Sequence, residues 1–551
     1  MKIAILHKKV YEYLISKGID CCYCEEKNEI VIRPTIEELE IELIMRFPLY
    51  YPYEFPQIYL FQEIDFKVPH RYTNKQLCLV DTNEESAIPE QYLEIAEMLI
   101  NRAINLIRTS MTENNLLEYN KEAITYWNTK TEIYITLIEC NNDLSHYVWG
   151  YEFVDNFLIV AETIEKIKDY IYRRHKIEID ISNAHQVLYI KAGVALLTLI
   201  KKMKDINTWL IKPADISIYY EYMRLKKGYK YLLFNIDNLD GECVFGIRIG
   251  ELFSNGIKIT KKNIAGILRA NSGRGFTKME IIDLRMKRLF TRGGDGMACF
   301  DKKCLFVGAG SVGSYLIKAT IEIGITDNLT IVDNDVLTPE NIGRHLCGNN
   351  YTLSDSKADA VREALMDKYP ALECIAMNKN ILEHIINDEE FFKSFDIVFV
   401  AVGNTVIEKK IIELYYNKII EQCVILWVEP YLIAGHALVL NDEMNDVTYN
   451  NIFDENGNFN LRILNNGRQY LKSEAGCQSA FAPYSGFEVQ KFVLDFVDCY
   501  YREIYSKKVE GNYSYTWLGK MKWARQNGFD ILPRWKSKDD RYSEMKRIDR
   551  E

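Results

Sequence analysis

The sequence predicts a multidomain protein of mixed α/β and α+β class, with a doubly wound, mostly parallel sheet in its C-terminal half. Three observations carry that expectation. At 551 residues the chain exceeds what one ordinary core holds, so roughly two to four domains are expected. An apolar run, KKCLFVGAG, enters a glycine turn, then a helical pattern, SVGSYLIKATIEIG, then a second strand, NLTIVDND, the order of a parallel βαβ unit. The first stretch of chain reads instead as a helix, several short strands and another helix, the order of an α+β domain.

In residues 1–125, an amphipathic helix pattern is followed by the strand-like runs EIVIRP, ELEIELIMRF and PQIYLF. A polar stretch, DTNEESAIPE, then leads into QYLEIAEMLINRAINLI, with apolar residues three and four apart as on one face of a helix. Cys78, in LCLVD, therefore falls on irregular chain between sheet and helix, where chemistry is often placed. Residues 126–280 mix predicted strands (KTEIYITLIEC, YLLFNI, ECVFGIRIG) with predicted helices (FLIVAETIEKIKDYIYRRH, LYIKAGVALLTLIKKM). They show no catalytic constellation and read as a linker or dimerisation module. In residues 281–551 the strands DIVFVAVG and CVILWVEP extend the parallel sheet.

Composition narrows the function classes. Apolar residues make up 48% and charged ones 26%, the balance of packed domains rather than disordered chain. The net charge is -10 with no sustained basic block, which argues against a nucleic-acid footprint. The most apolar run, Ala192 to Ile200, is too short to span a bilayer, and the N-terminal residues lack a signal-peptide pattern, so the chain reads as cytoplasmic. The 13 cysteines are expected to be free thiols, and Cys21 and Cys24, the only CxxC, lack a second pair, so no structural zinc is expected.

GAGSVG, Gly308 to Gly313, follows a strand and opens a helix. Gly308 permits the tight turn, Gly310 a close phosphate and Gly313 close helix packing, while Asp333, ending the next strand, suits ribose hydroxyls. These residues alone fit an NAD-dependent dehydrogenase. The following stretch adds Asn341, Arg344 and Lys357 on one side of the pocket. Extra cations are better explained by a triphosphate whose α-phosphate gains charge on attack, which favours ATP and adenylation.

GAGSVG, DND, NIGRH and the lysine of SDSKADAVR resemble, over roughly residues 285–500, the Rossmann-like adenylation domain shared by ubiquitin-activating enzymes and their bacterial ThiF/MoeB relatives. The resemblance implies ATP and Mg2+, with Asp333 at the ribose, Asp335 beside it in the DND motif, Asn341 and Arg344 at the phosphates and Lys357 at the α-phosphate. It implies a homodimer in which an arginine before the glycine strand, Arg288 or Arg292, reaches the partner's nucleotide. The sequence departs where that family places a magnesium-holding aspartate, reading Gly403 and Asn404 instead, so the metal ligand stays unknown. Cys477, in EAGCQSAFAPYSG, resembles the cysteine of activating enzymes that captures the acyl adenylate as a thioester.

FPLYYPYEFP, a further strand and LCLVD resemble ubiquitin-conjugating enzymes, with Cys78 as their catalytic cysteine and a ubiquitin-conjugating-like α+β domain implied. The family's His-Pro-Asn is replaced by His70-Arg71-Tyr72. Asn74 is a candidate oxyanion donor, Asp81 a candidate helper for an incoming amine, and His70 reads as structural. A chain with both halves, and with WVEPYLIAGHAL and GCQSAFAPYSG, resembles the fused activating and conjugating enzymes of bacterial CBASS anti-phage operons, the CD-NTase-associated protein 2 family. That resemblance implies a degenerate adenylation-like middle domain, the C-terminus of a cGAS-like nucleotidyltransferase as acyl donor, and a target-protein amine as acceptor. Sulfur-carrier activation for cofactor biosynthesis and a non-catalytic nucleotide-dependent binding module are the alternatives.

Overall fold

The computed structural model describes residues 2–548 apart from 67, 73, 83, 112–121, 129–130, 132, 141–142, 155, 196–198, 211, 226–227, 239–240, 350–354 and 474–479. They divide into two compact units, Met1–Asp169 with Glu178–Ile282, and Tyr170–Ile177 with Asp283–Glu551.

The described residues of the first unit hold two large sheets and the short ribbon Thr35–Ile36 with Leu39–Glu40. After the helix Lys2–Ser16, strands Cys21–Cys24, Glu29–Ile32, Leu43–Arg46 and Gln57–Tyr59 form an antiparallel meander. Side chains alternate across it, so Leu43 and Met45 are buried and Ile44 and Arg46 are not. The helix Tyr92–Ser110 buries Ile95, Leu99, Ala103 and Ile107, spaced four apart, against that face. Cys21 points into this core, where burial pushes its thiol up to about 11, leaving it unreactive at neutral pH.

The second sheet of this unit closes into a seven-stranded barrel. Two pairings are parallel, His185–Ala195 with Lys230–Asn238 and Tyr134–Leu137 with Phe157–Ala161, and the neighbouring ones are antiparallel. This is a barrel rather than the open parallel sheet of an adenylation-like domain. Two predicted helices are corrected. LYIKAGVA belongs to the strand His185–Ala195, and FLIVA is the strand Phe157–Ala161, with the helix starting only at Ile164. The reason is burial on both faces: Leu188, Ile190 and Ala192 enter one core, while Val187 and Tyr189 enter another. A strand buried on two sides has no alternating polarity and cannot be told from a buried helix by periodicity.

The second unit is built on an eight-stranded sheet. Glu373–Met377, Asn328–Val332, Lys303–Val307, Ile397–Val400 and Cys423–Val428 are parallel neighbours in that order. Ala434–Leu440, Tyr513–Leu518 and Ser543–Arg547 add an antiparallel edge. Chain order reverses between Lys303–Val307 and Ile397–Val400, which opens a crevice beyond their C-terminal ends. No helix among the described residues is long and apolar enough to cross a membrane.

Candidate active site

The crevice at the strand reversal is a cavity of about 480 Å³. Its wall includes Gly308, Gly310, Asp333, Asp335, Asn341, Arg344 and Lys357, so seven residues singled out in the sequence meet in one place. Gly308 has φ +97°, and a Cβ there would lie 2.7 Å from the Ala401 carbonyl oxygen. Gly310 would meet nothing within 4 Å and faces open space at the N-terminus of helix Ser311–Glu322, where free backbone N–H groups attract anions. Gly313 does not line the cavity; a Cβ there would lie 2.0 Å from the Gly308 carbonyl oxygen, so it seats the helix directly on the loop.

Asp333 accepts hydrogen bonds from the backbone N–H of Ala309 at 2.7 Å and of Asp335 at 2.8 Å. Burial raises its carboxyl above the ordinary value, although those N–H groups and Lys357 oppose the rise. The Lys357 ammonium donates to Asp335 at 2.8 Å, and both its backbone and its side chain are tied to that residue. Arg344 donates to the Ala482 carbonyl at 3.1 Å and lies 4.9 Å from the Tyr484 ring centroid, whose hydroxyl meets Ser311 at 2.8 Å. Asn341 accepts from the Thr338 N–H at 3.1 Å and so holds the turn that presents Arg344.

The position expected to carry a metal-holding carboxylate has Gly403 and Asn404 on the cavity wall. The Asn404 side-chain oxygen caps helix Thr405–Tyr416 by accepting from Val406 at 3.0 Å, so it is committed to the fold. The carboxylates on the wall are Asp333 and Asp335. Behind the loop, burial pushes the Glu408 carboxyl up to about 7, against backbone N–H groups of Gly403 and Asn404.

Sequence reasoning passed over three residues here. His345 is buried and neutral, its pKa lowered by burial; its Nε2–H donates to the Ala309 carbonyl at 2.7 Å while Nδ1 accepts from the Cys347 N–H at 3.0 Å, which fixes the glycine loop. Its place directly after Arg344 in NIGRH was the available signal. Lys379 adds a cation just past a strand end, and Trp427 an aromatic wall stacked on Phe459 with centroids 3.9 Å apart.

Arg288 is half-buried on helix Met286–Gly293 and is not among the lining residues; Arg292 is on the same helix, and its side chain lies outside the described residues. Cys477 also lies outside the described residues. Its flanks do not: Lys472–Ser473 pairs with Ala480–Phe481, Ala482 and Tyr484 reach the cavity, and the Pro483 carbonyl accepts from the Tyr431 N–H at 2.6 Å. Glu429 of the WVEP motif accepts from the N–H groups of Ile463 and Leu464 at 2.6 and 2.9 Å and meets buried His436 at 2.8 Å, pinning the chain that leads toward this region. A groove of about 730 Å³ shares Trp427, Val428 and Ala482 with the cavity.

In the first unit, Cys78 is half-buried on one limb of a short hairpin. The Cys78 N–H donates to the His70 carbonyl at 2.7 Å, Arg71 bridges Leu77, and the Tyr72 N–H donates to the Gln76 carbonyl at 2.8 Å. Alternation then puts His70, Tyr72, Gln76 and Cys78 on one face and sends Leu77 into the core. The Tyr72 phenol faces the Cys78 thiol, and its interaction with that thiol, with burial, pushes the phenol up to about 12. His70 Nδ1 meets Glu122 at 2.6 Å. Burial alone would raise Glu122, but hydrogen bonds from His70 and Tyr126 outweigh it and hold its carboxyl below the ordinary value. Asn74 is spent on the hairpin tip, accepting from the Gln76 N–H at 3.1 Å, and Asp81 is exposed. Arg102 of helix Tyr92–Ser110 holds the chain after the thiol, donating to the Leu79 carbonyl at 3.1 Å and to both Glu85 oxygens at 2.7 and 2.9 Å.

Residues 291–460 match the ThiF family, so the second unit contains a ThiF-type domain. A stretch of 186 residues is 25% identical to the ATP-dependent ubiquitin transferase-like protein Cap2 of Pseudomonas aeruginosa, covering 33% of this chain and 32% of that protein. A stretch of 96 residues is 33% identical to the DNA damage tolerance protein RHC31 of Saccharomyces cerevisiae, covering 17% of this chain and 26% of the yeast protein. The matches thus span between a quarter and a third of each relative's length. With both findings, the chain is similar to Cap2 over part of its length and carries a ThiF-type domain. The crystal structure of PaaA aligns over 45% of this chain and 64% of its own at 16% identity, with a TM-score of 0.30, too low to bear on the fold.

Proposed function

We propose that the protein is an ATP-dependent ligase that activates a protein's C-terminal carboxylate, carries it on sulfur and transfers it to an amine. The observation that supports this most is the convergence of the glycine loop, Asp333, Asp335, Asn341, Arg344 and Lys357 on one cavity in a ThiF-type domain. The helix N-terminus and Arg344 would bind the phosphates, Asp333 the ribose, and Lys357 would leave Asp335 to meet charge on the α-phosphate. Magnesium would ride on the phosphates beside Asp335, since Asn404 is committed to its helix; its chemistry would be to neutralise phosphate charge.

The carboxylate attacks the α-phosphorus and pyrophosphate leaves, giving an acyl adenylate. The groove that shares Trp427 and Ala482 with the cavity is where the tail would lie. The Cys477 thiolate displaces AMP to form a thioester, the Cys78 thiolate displaces Cys477, and an amine, losing a proton, displaces Cys78 to leave an amide. Tyr72, whose phenol stays protonated at neutral pH, is the donor for the developing oxyanion, in place of the missing asparagine. On the family's pattern the donor is the tail of a CBASS cGAS-like nucleotidyltransferase, primed for anti-phage defence, and the enzyme is a cytoplasmic homodimer with Arg288 or Arg292 reaching across.

The test incubates the full chain with Mg-ATP and the neighbouring operon's nucleotidyltransferase and compares non-reducing with reducing gels. Thiol-labile adducts are expected; Cys477→Ala removes them all, while Cys78→Ala keeps the first and blocks transfer. Adducts that survive Cys477→Ala overturn the order of thiols. Turnover with a small Gly-Gly-ending carrier, unaffected by Cys78→Ala, would instead mark sulfur-carrier activation.

A further inference from the structure

The barrel of the first unit brings another set of chemically active side chains together. Strand Tyr134–Leu137 runs parallel to Phe157–Ala161, and His146–Val154 runs antiparallel to it, with Leu137 opposite Val160 and Trp149 opposite Ala161. The C-terminal ends of the first two and the N-terminal end of the third therefore reach the same rim. Cys140 follows the first strand, Glu162 follows the second, and His146 begins the third. Their ligand atoms all lie within 4.8 Å of one another, with Cys140 buried and the other two half-buried.

The histidine's hydrogen bonds define what faces the cluster. His146 Nδ1 lies 2.9 Å from the Leu144 carbonyl, which can only accept, so Nδ1 carries a hydrogen. In the neutral ring Nε2 then holds a lone pair, and it points at both Glu162 oxygens, at 2.9 and 3.0 Å. Either a second proton or a cation must sit between them. A backbone carbonyl on one ring nitrogen, with the other aimed at further donors, is the arrangement that orients a metal-bound imidazole. The Tyr189 ring packs against it, with centroids 5.6 Å apart.

The geometry points to a zinc-class divalent metal site formed by Cys140 Sγ, His146 Nε2 and the Glu162 carboxylate at the barrel rim. Thiolate, imidazole and carboxylate suit Zn2+ or Co2+, whereas Mg2+ and Ca2+ prefer oxygen alone. A tetrahedral ion holds such donors roughly 3.3–3.6 Å apart, so side-chain movement of about 1 Å closes the set. The fourth position is left to water. Binding releases the thiol proton and ties three strands together.

The test measures metal in the purified full-length chain after zinc loading and desalting, and the spectrum of the Co2+-loaded chain. About one ion per chain is expected, with a thiolate-to-cobalt charge-transfer band. Cys140→Ser removes the band and His146→Ala the stoichiometry, while Cys21→Ser/Cys24→Ser changes neither. Glu162→Gln, nearly isosteric and checked for folding by circular dichroism, weakens affinity roughly tenfold or more. A wild-type chain that binds no ion, or one that keeps both ion and band after Cys140→Ser, overturns the assignment and leaves a His146–Glu162 ion pair.

Discussion

The glycine-loop cavity and the Cys78 hairpin are built by opposite means. In the cavity the decisive groups are backbone: a helix N-terminus, a left-handed glycine and strand ends, with Gly313 in contact with Gly308. At Cys78 they are side chains on one face of a hairpin, Tyr72 beside the thiol and His70 backed by Glu122 from 52 residues away. A backbone-built loop fails when a Cβ is added; a side-chain-built hairpin fails when a side chain is trimmed.

Substitutions in the glycine loop break that contrast most directly. Gly313→Ala puts a methyl group 2.0 Å from the Gly308 oxygen, and the loop must move. ATP–pyrophosphate exchange should fall at least about a hundredfold, with a lowered melting temperature. Gly310→Ala, which meets no protein atom within 4 Å, should leave the melting temperature unchanged and weaken ATP binding alone, read by calorimetry. Equal losses in both would mean the loop is not set by helix contact.

Lys357→Ala comes next. Exchange should drop about a hundredfold, as for loss of a group that meets transition-state charge. Stability should change by less than about 1 kcal/mol, because the partner Asp335 is 64% exposed. A large loss of stability with normal exchange would make Lys357 a structural residue.

Tyr72→Phe should slow discharge of acyl-Cys78 to free hydroxylamine about tenfold in single-turnover assays and leave ATP–pyrophosphate exchange untouched. Asn74→Ala, at the hairpin tip, should change neither. If Asn74→Ala carries the defect and Tyr72→Phe does not, the hairpin register is not what places the donor.

The smallest effect on turnover is expected at Glu408, under the 403–404 loop. Its folded pKa of about 7 exceeds the ordinary 4.5, so its stabilising share is complete below about pH 4.5, declines as pH rises, and is gone above about 7. Glu408→Gln should not show that decline, and the difference between the two proteins should shift by up to about 3 kcal/mol across the window. Denaturation curves at several pH values that stay parallel would count against a buried neutral acid.

The two sites also differ in how far the sequence disclosed them. GAGSVG, Asp333, Asn341, Arg344 and Lys357 stand in one contiguous reach of chain and were legible, because a strand–turn–helix unit brings near neighbours to one crevice. Lys379 and Trp427 were not, since they arrive on later strands. In the sequence Tyr72 stands out only as part of the stretch that replaces His-Pro-Asn; its facing follows from the pairing of Cys78 with His70. The strand His185–Ala195 carries no strand-like alternation in sequence because both its faces are buried.

By itself the sequence determined the βαβ glycine loop and the order of the polar residues that follow it, because turns and close helix contacts demand particular residues at particular places. Only the tertiary structure decided that the middle segment closes into a barrel, that Glu122 backs His70, and that Cys140, His146 and Glu162 share a rim. Side chains from separate strands carry no local mark of their meeting; register and sheet closure, which sum many weak contacts over the whole chain, set where each one points.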